Sequence, residues 1–174
     1  MRNNNLTGTG VALVTPFQED FTIDFKSLNK LIEHLIDGGI NYFVVLGTTG
    51  ESATLSMREQ NDIIDFVKRI VNKRVPIVLG LGGNDTEDII NRMNSINFNS
   101  IDAILSVSPY YNKPTQAGIL MHYSKIAEAS PVDIILYNVP SRTSSNISVN
   151  TVVSLAKKYT NIIGIKEASG DIAQ

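Results

Sequence analysis

Short apolar runs alternate along the chain with longer stretches of helical spacing. The runs are Gly10 to Thr15, Tyr42 to Leu46, Val75 to Leu81, Ile101 to Val107, Asp133 to Val139 and Ile162 to Lys166. Their starts lie roughly 30 residues apart, the size of a strand plus a helix. In the first intervening segment, Phe25 to Ile36, Leu28, Leu31, Ile32 and Leu35 share one face, and Asp37-Gly38-Gly39 ends it. The second opens at Ser56 and carries Ile63, Ile64, Phe66, Val67 and Ile70. The third follows Asp85-Thr86-Glu87-Asp88, acids that suit a helix N-terminus. A fourth runs from about Gln116 to Ala129 and a fifth from about Ser148 to Tyr159. Strands that strictly alternate with helices predict a parallel sheet covered by helices, so the class is α/β.

Two architectures meet that pattern. A doubly wound sheet usually carries a glycine-rich phosphate turn after its first strand. Here Gly8 and Gly10 precede the first apolar run, which ends in Thr15-Pro16-Phe17. A (β/α)8 TIM barrel places its working residues at the C-terminal ends of several strands. The unusual stretches fall there: Gly47 to Ser52 after the second run, Pro109 to Pro114 after the fourth, Tyr137 in the fifth and Lys166 at the end of the sixth. The prediction is one partial TIM-barrel domain over residues 1–174, lacking the last two βα units and the C-terminal helices, with open sheet edges.

Composition narrows the function classes. With 43% hydrophobic and 18% charged residues the chain has the make-up of a folded domain, and a net charge of −2 offers no broad footprint for nucleic acid or an anionic membrane. There is no cysteine, so disulfides, thiolate metal sites and a cysteine nucleophile are excluded. The start, Met1-Arg2-Asn3-Asn4-Asn5, has no apolar leader, and no run approaches a bilayer-spanning length, which leads us to expect a cytoplasmic location.

Candidate chemistry centres on Lys166. The run Ile162-Ile163-Gly164-Ile165-Lys166 reads as a buried strand, with Lys166 on the side of Ile162 and Gly164. A sheltered lysine amine is the nucleophile that condenses with ketones to form Schiff bases; the alternative is a lysine capping a strand end in water. Gly47-Thr48-Thr49-Gly50 offers backbone amides and hydroxyls for a carboxylate, or forms an ordinary turn. Tyr137 fits a proton shuttle or a core tyrosine, and Arg142 a carboxylate fork or a solvated loop residue. The pair Tyr110-Tyr111, before Asn112-Lys113-Pro114, suits a protein contact. His34 and His122 lie in predicted helices without triad partners and read as structural.

Taken in order and spacing, Gly47 to Ser52 (GTTGES), Ser108 to Pro114 (SPYYNKP), Tyr137 to Thr143 (YNVPSRT) and Gly164 to Ala168 (GIKEA) resemble the 4-hydroxy-tetrahydrodipicolinate (dihydrodipicolinate) synthase family of class I pyruvate-dependent aldolases. The resemblance implies that Lys166 forms a Schiff base with pyruvate, whose enamine attacks L-aspartate 4-semialdehyde. It also implies that Tyr137 relays protons, linked through Thr48 to Tyr111 reaching from a neighbouring subunit. Thr48 and Thr49 would hold the pyruvate carboxylate, and Arg142 that of the second substrate. The implied assembly is a homo-oligomer, a dimer of dimers in the intact family, and no metal or organic cofactor is implied because the lysine supplies the electron sink.

Ser52, Ala53, Asn84 and Tyr110 match positions of the family's allosteric lysine pocket, but at that same candidate site Met57 stands where a histidine is common and Asp88 where a glutamate is. Reduced or absent inhibition by lysine follows as an expectation. Two other functions stay open. One is a lyase of the same superfamily acting on N-acetylneuraminate or a keto-deoxy sugar acid, against which Asn138 to Thr143 argues. The other is an inactive fragment, in which an open barrel leaves Lys166 hydrated and weakly labelled by pyruvate.

Overall fold

The computed structural model describes residues 6–174; Met1 to Asn5, read above as lacking a leader, lie outside the described residues. The order of elements is β1 (Gly10–Ala12), α1 (Phe25–Asp37), β2 (Tyr42–Val45), α2 (Met57–Val71), β3 (Ile77–Gly80), α3 (Thr86–Ser95), β4 (Ala103–Val107), α4 (Gln116–Ala129), β5 (Asp133–Asn138), α5 (Pro140–Thr143), α6 (Val149–Lys158) and β6 (Ile162–Glu167). The predicted alternation therefore holds, with strand ends trimmed where apolar residues continue into loops.

Local sequence explains the helix starts. Asp24, Thr115 and Ser148 cap α1, α4 and α6 by accepting from Ser27 N, Gly118 N and Thr151 N. Asp85 caps α3 by accepting from Glu87 N and Asp88 N. At α2 the cap is reciprocal: Ser56 Oγ accepts from Glu59 N, and Glu59 Oε2 accepts from Ser56 N at 2.8 Å. Each satisfies backbone donors that no intrahelical carbonyl can reach.

The chain divides into two compact units, Met1–Gly80 with Asn99–Asp102 and Leu81–Phe98 with Ala103–Gln174. In the first, β1, β2 and β3 pair in parallel, Val11 opposite Phe43 and Phe43 opposite Ile77. Phe43, Val45, Ile77 and Leu79 are buried, as are Leu28 and Ile32 of α1 and Ile63, Ile64, Val67 and Val71 of α2. A methyl group on Gly80 would run into the Leu46 carbonyl, so the glycine permits the close approach of two backbones.

In the second unit β4, β5 and β6 pair in parallel. Ile104, Leu136, Ile134, Ile119, Tyr123, Ile126 and Leu155 fill its core. Tyr123 Oη donates to the carbonyl of Ser106 at 3.0 Å, tying α4 to β4. His122, also buried, shares a 2.8 Å hydrogen bond between its Nδ1 and Thr86 Oγ1, consistent with a structural role. Its burial lowers the imidazole pKa to about 4.

Two expectations need correction. β6 is not a buried strand: Ile162 is buried, but Gly164 to Glu167 are exposed. It pairs with β5 and, among the described residues, with no strand on its other edge. Nor does strict alternation hold along it. The register shifts by one residue: Ile162 lies opposite Ile134, Gly164 opposite Ile135 and Lys166 opposite Tyr137. Ile163 is the extra residue of this irregularity, so Ile162 and Lys166 face β5 positions of opposite parity and do not share a side.

Candidate active site

β5 and β6 bring the predicted lysine and tyrosine together. Tyr137 and Lys166 are register partners at the C-terminal ends of their strands. Lys166 Nζ lies 4.6 Å from the centroid of the Tyr137 ring, within cation–π distance. The Tyr137 ring is held by packing, only 7% exposed, and its carbonyl accepts from Ser108 N at 3.0 Å. Lys166 is exposed, and a Cβ on its neighbour Gly164 would meet nothing within 4 Å. The amine is thus held beside a buried phenol, with open space around it.

On the other face of the same strand pair, Asn138 and Glu167 are register partners. Asn138 is fully buried, and its Nδ2 donates to Glu167 Oε2 at 2.9 Å and to Asn146 Oδ1 at 2.7 Å. Its Oδ1 accepts from Ile147 N at 3.0 Å. Glu167 also accepts from Ser169 N at 2.8 Å and from Gln174 Nε2 at 2.9 Å. Partial burial of the Glu167 carboxyl raises its pKa, but the hydrogen bonds from Asn138, Gln174 and Ser169 outweigh that and leave it lowered. The sequence reading gave neither residue a role in the site; the available signal was that each directly follows a candidate catalytic residue at the end of a strand.

Arg142 is exposed on the single turn of α5, which Pro140 starts; the sequence reading had no helix there. Tyr111 is 89% exposed with φ 73°, and Tyr110 is exposed beside it. Asn112 Nδ2 donates to the carbonyl of Asn84 at 3.1 Å, anchoring the tyrosine loop to the segment before α3. Asp88 is exposed in the first turn of α3.

In the first unit, Thr48 and Thr49 open a 3₁₀ turn, Thr48–Gly50, and both are exposed. Ser52 and Ala53 lie in the next such turn, Ser52–Thr54, with Glu51 in a left-handed conformation between them. Thr15 Oγ1 donates to the carbonyl of Gly50 at 2.7 Å and fixes the first turn against the end of β1. Among the described residues no group of His, Cys, Asp or Glu is arranged to hold a metal ion, and no helix is long and apolar enough to cross a membrane.

A sequence model of the Dihydrodipicolinate synthetase family matches residues 5–174. The chain belongs to that family. It is 54% identical over 167 residues to the 4-hydroxy-tetrahydrodipicolinate synthase of Flavobacterium psychrophilum, covering 96% of this chain and 57% of that protein. To the enzyme of the same name from Azobacteroides pseudotrichonymphae it is 52% identical, over all of this chain and 59% of that one. Among solved structures, the Acinetobacter baumannii dihydrodipicolinate synthase complexed with pyruvate superposes with a TM-score of 0.91 at 48% identity, covering 95% of this chain and 57% of that chain. The synthase of Methylacidiphilum fumariolicum gives 0.92 at 42% identity over 97% and 56%. The fold is accordingly that of the family's (β/α)8 barrel, of which this chain carries six strands. The chain spans somewhat over half the length of the relatives it matches.

Proposed function

We propose that the chain serves the condensation of pyruvate with L-aspartate 4-semialdehyde to 4-hydroxy-tetrahydrodipicolinate, a lyase reaction of lysine and diaminopimelate biosynthesis in the cytoplasm. The observation that carries this reading is the placement of Lys166 Nζ 4.6 Å from the ring centroid of Tyr137, at register-paired strand ends. The unprotonated Lys166 amine attacks the ketone carbon of pyruvate, and water leaves to give an imine. The pyruvate methyl group then loses a proton, and the resulting enamine attacks the aldehyde carbon. Tyr137 is assigned the transfer of protons to and from these atoms.

Thr48 and Thr49 are assigned to the pyruvate carboxylate and Arg142 to the carboxylate of the semialdehyde, whose planar charge suits a guanidinium fork. Thr48 also extends the proton path of Tyr137. The exposed ring of Tyr111 is assigned to the proton path of a neighbouring copy in a homo-oligomer, a dimer of dimers. Ser52, Ala53, Asn84, Asp88 and Tyr110 are assigned to lysine regulation, with a weak or absent response to lysine.

The exposure of Lys166 favours a second reading, in which this chain alone captures pyruvate slowly because the side chain is open to water. Borohydride reduction with pyruvate, followed by peptide mass analysis, tests both. An adduct confined to Lys166 and absent from Lys166→Ala supports the Schiff-base reading; labelling spread over other lysines refutes it. Slow, Lys166-specific labelling selects the second reading.

A further inference from the structure

The face of the β5–β6 ends that carries Asn138 holds a polar cluster for which the proposed reaction has no use. Asn138 is completely buried, yet all of its hydrogen-bonding groups have partners: Asn146 and Glu167 take its amide protons, and Ile147 N reaches its oxygen. A buried side-chain amide is costly unless fully satisfied, and here one of the bonds crosses to the neighbouring strand. Side chains alternate in direction, so this bond lies on the opposite face from the Lys166–Tyr137 pair and one residue further along. The Ala168 N–H donates to the Asn138 carbonyl at 2.9 Å, which ties the same residue into the backbone ladder.

We infer that the Asn138–Glu167 bond is a clamp that holds the exposed end of β6 in register, keeping Lys166 over the Tyr137 ring. β6 needs such a device. From Gly164 onward its residues are exposed, so little apolar burial fixes it, and a register shift already exists at Ile163. A slip by one residue would carry Lys166 to the other face. Asn138 and Glu167 are therefore positioning residues, acting through Lys166 without touching substrate. This inference rests on the Schiff-base reading for its consequence, but its geometry can be tested apart from activity.

The test observes the Lys166 ε-methylene protons by NMR, assigned by their disappearance in Lys166→Arg. Lying over an aromatic face, they are expected upfield of the other lysines in the wild-type chain. Glu167→Ala should return them to the common lysine position and slow pyruvate trapping at Lys166 about 10- to 100-fold, the loss of a charge-assisted hydrogen bond. Glu167→Gln, which keeps an acceptor oxygen, should retain most of the upfield shift. Asn138→Asp sets two carboxylates against each other. The shift should vanish near neutral pH and return on acidification, as one carboxyl takes up a proton, and the double variant Asn138→Asp/Glu167→Gln should recover it without acid.

A merely structural role would not produce that acid-dependent return. If the Asn138 variants do not fold, the exposed Glu167 pair decides: loss in Glu167→Ala with retention in Glu167→Gln supports the clamp, and equal signals in wild type and both variants overturn it. An unshifted Lys166 signal in the wild-type chain also overturns it. If no pyruvate adduct forms on wild type while the NMR pattern holds, the Schiff-base reading falls and the clamp stands.

Discussion

β5 and β6 run side by side and pair residue for residue over their last four positions, yet they are held by different forces. Ile134, Leu136, Tyr137 and Asn138 of β5 are buried between β4 and β6, whereas β6 from Gly164 to Glu167 is exposed. The phenol of Tyr137 is therefore fixed by packing, and the amine of Lys166 by strand pairing and the hydrogen bonds behind it. Packing resists displacement in every direction, whereas a hydrogen-bonded edge can slide or fray. Two groups proposed to act on the same substrate thus differ in how firmly they are placed.

The largest expected effect separates chemistry from stability. Lys166→Ala should abolish the pyruvate–borohydride adduct while shifting the unfolding free energy by no more than about 0.5 kcal/mol, since the side chain is exposed. A large loss of stability in urea titration would mean that the edge is packed after all. Next comes a direct comparison of register partners. Leu136→Ala on β5 should cost about 2–5 kcal/mol, because it empties a fully buried site. Its partner on β6, changed as Ile165→Ala, should cost less than about 1 kcal/mol. Equal costs would erase the contrast.

Acid should distinguish the two regions by where each loses stability. His122 on α4 is buried with its pKa lowered to about 4, so the unfolded chain binds a proton that the folded one refuses. The corresponding stability is complete above about pH 6.5 and is lost as pH falls from there towards 4, up to about 3 kcal/mol. Unfolding midpoints measured from pH 7 to pH 4 should fall more steeply for wild type than for His122→Asn. The lowered carboxyl of Glu167 at the edge has the other window: its contribution is present above pH 4.5 and is lost only below that, so Glu167→Gln should flatten the acid limb alone. A further, modest effect is expected at the helix leading into β6. Ser148→Ala removes the cap of α6 and should cost about 1 kcal/mol, read as a shift in the urea midpoint.

Much of this contrast could be anticipated from the sequence, and some could not. Thr115, Ser148, Ser56 and Asp85 are capping residues placed just before apolar periodic segments, so the helices start where their local chemistry dictates. α4 matches its predicted span, Gln116–Ala129. The single turn of α5 escaped because Pro140 reads equally as a loop residue and as the first residue of a helix. Tyr137 and Lys166 were legible as strand-end residues, but their pairing depends on the extra residue at Ile163, which alternation rules leave out. The sequence left open whether Lys166 is sheltered or in water, for a related reason. Apolar composition describes what a strand can bury, whereas actual burial depends on which neighbours flank it. Asn138 and Glu167 look like ordinary polar ends of strands until the pairing sets one against the other.

The irregularity at Ile163 means that β6 is indexed twice: once from α6 up to Ile162, and again from Gly164 to the amine. Between the two counts lies slack of one residue. A chain shortened by Ile163 alone could draw that slack in and still deliver Lys166 opposite Tyr137, whereas the same deletion at Ile165 would put the amine out of step with the phenol. The address of the nucleophile is thus written downstream of the kink, insulated from length changes on the helix side.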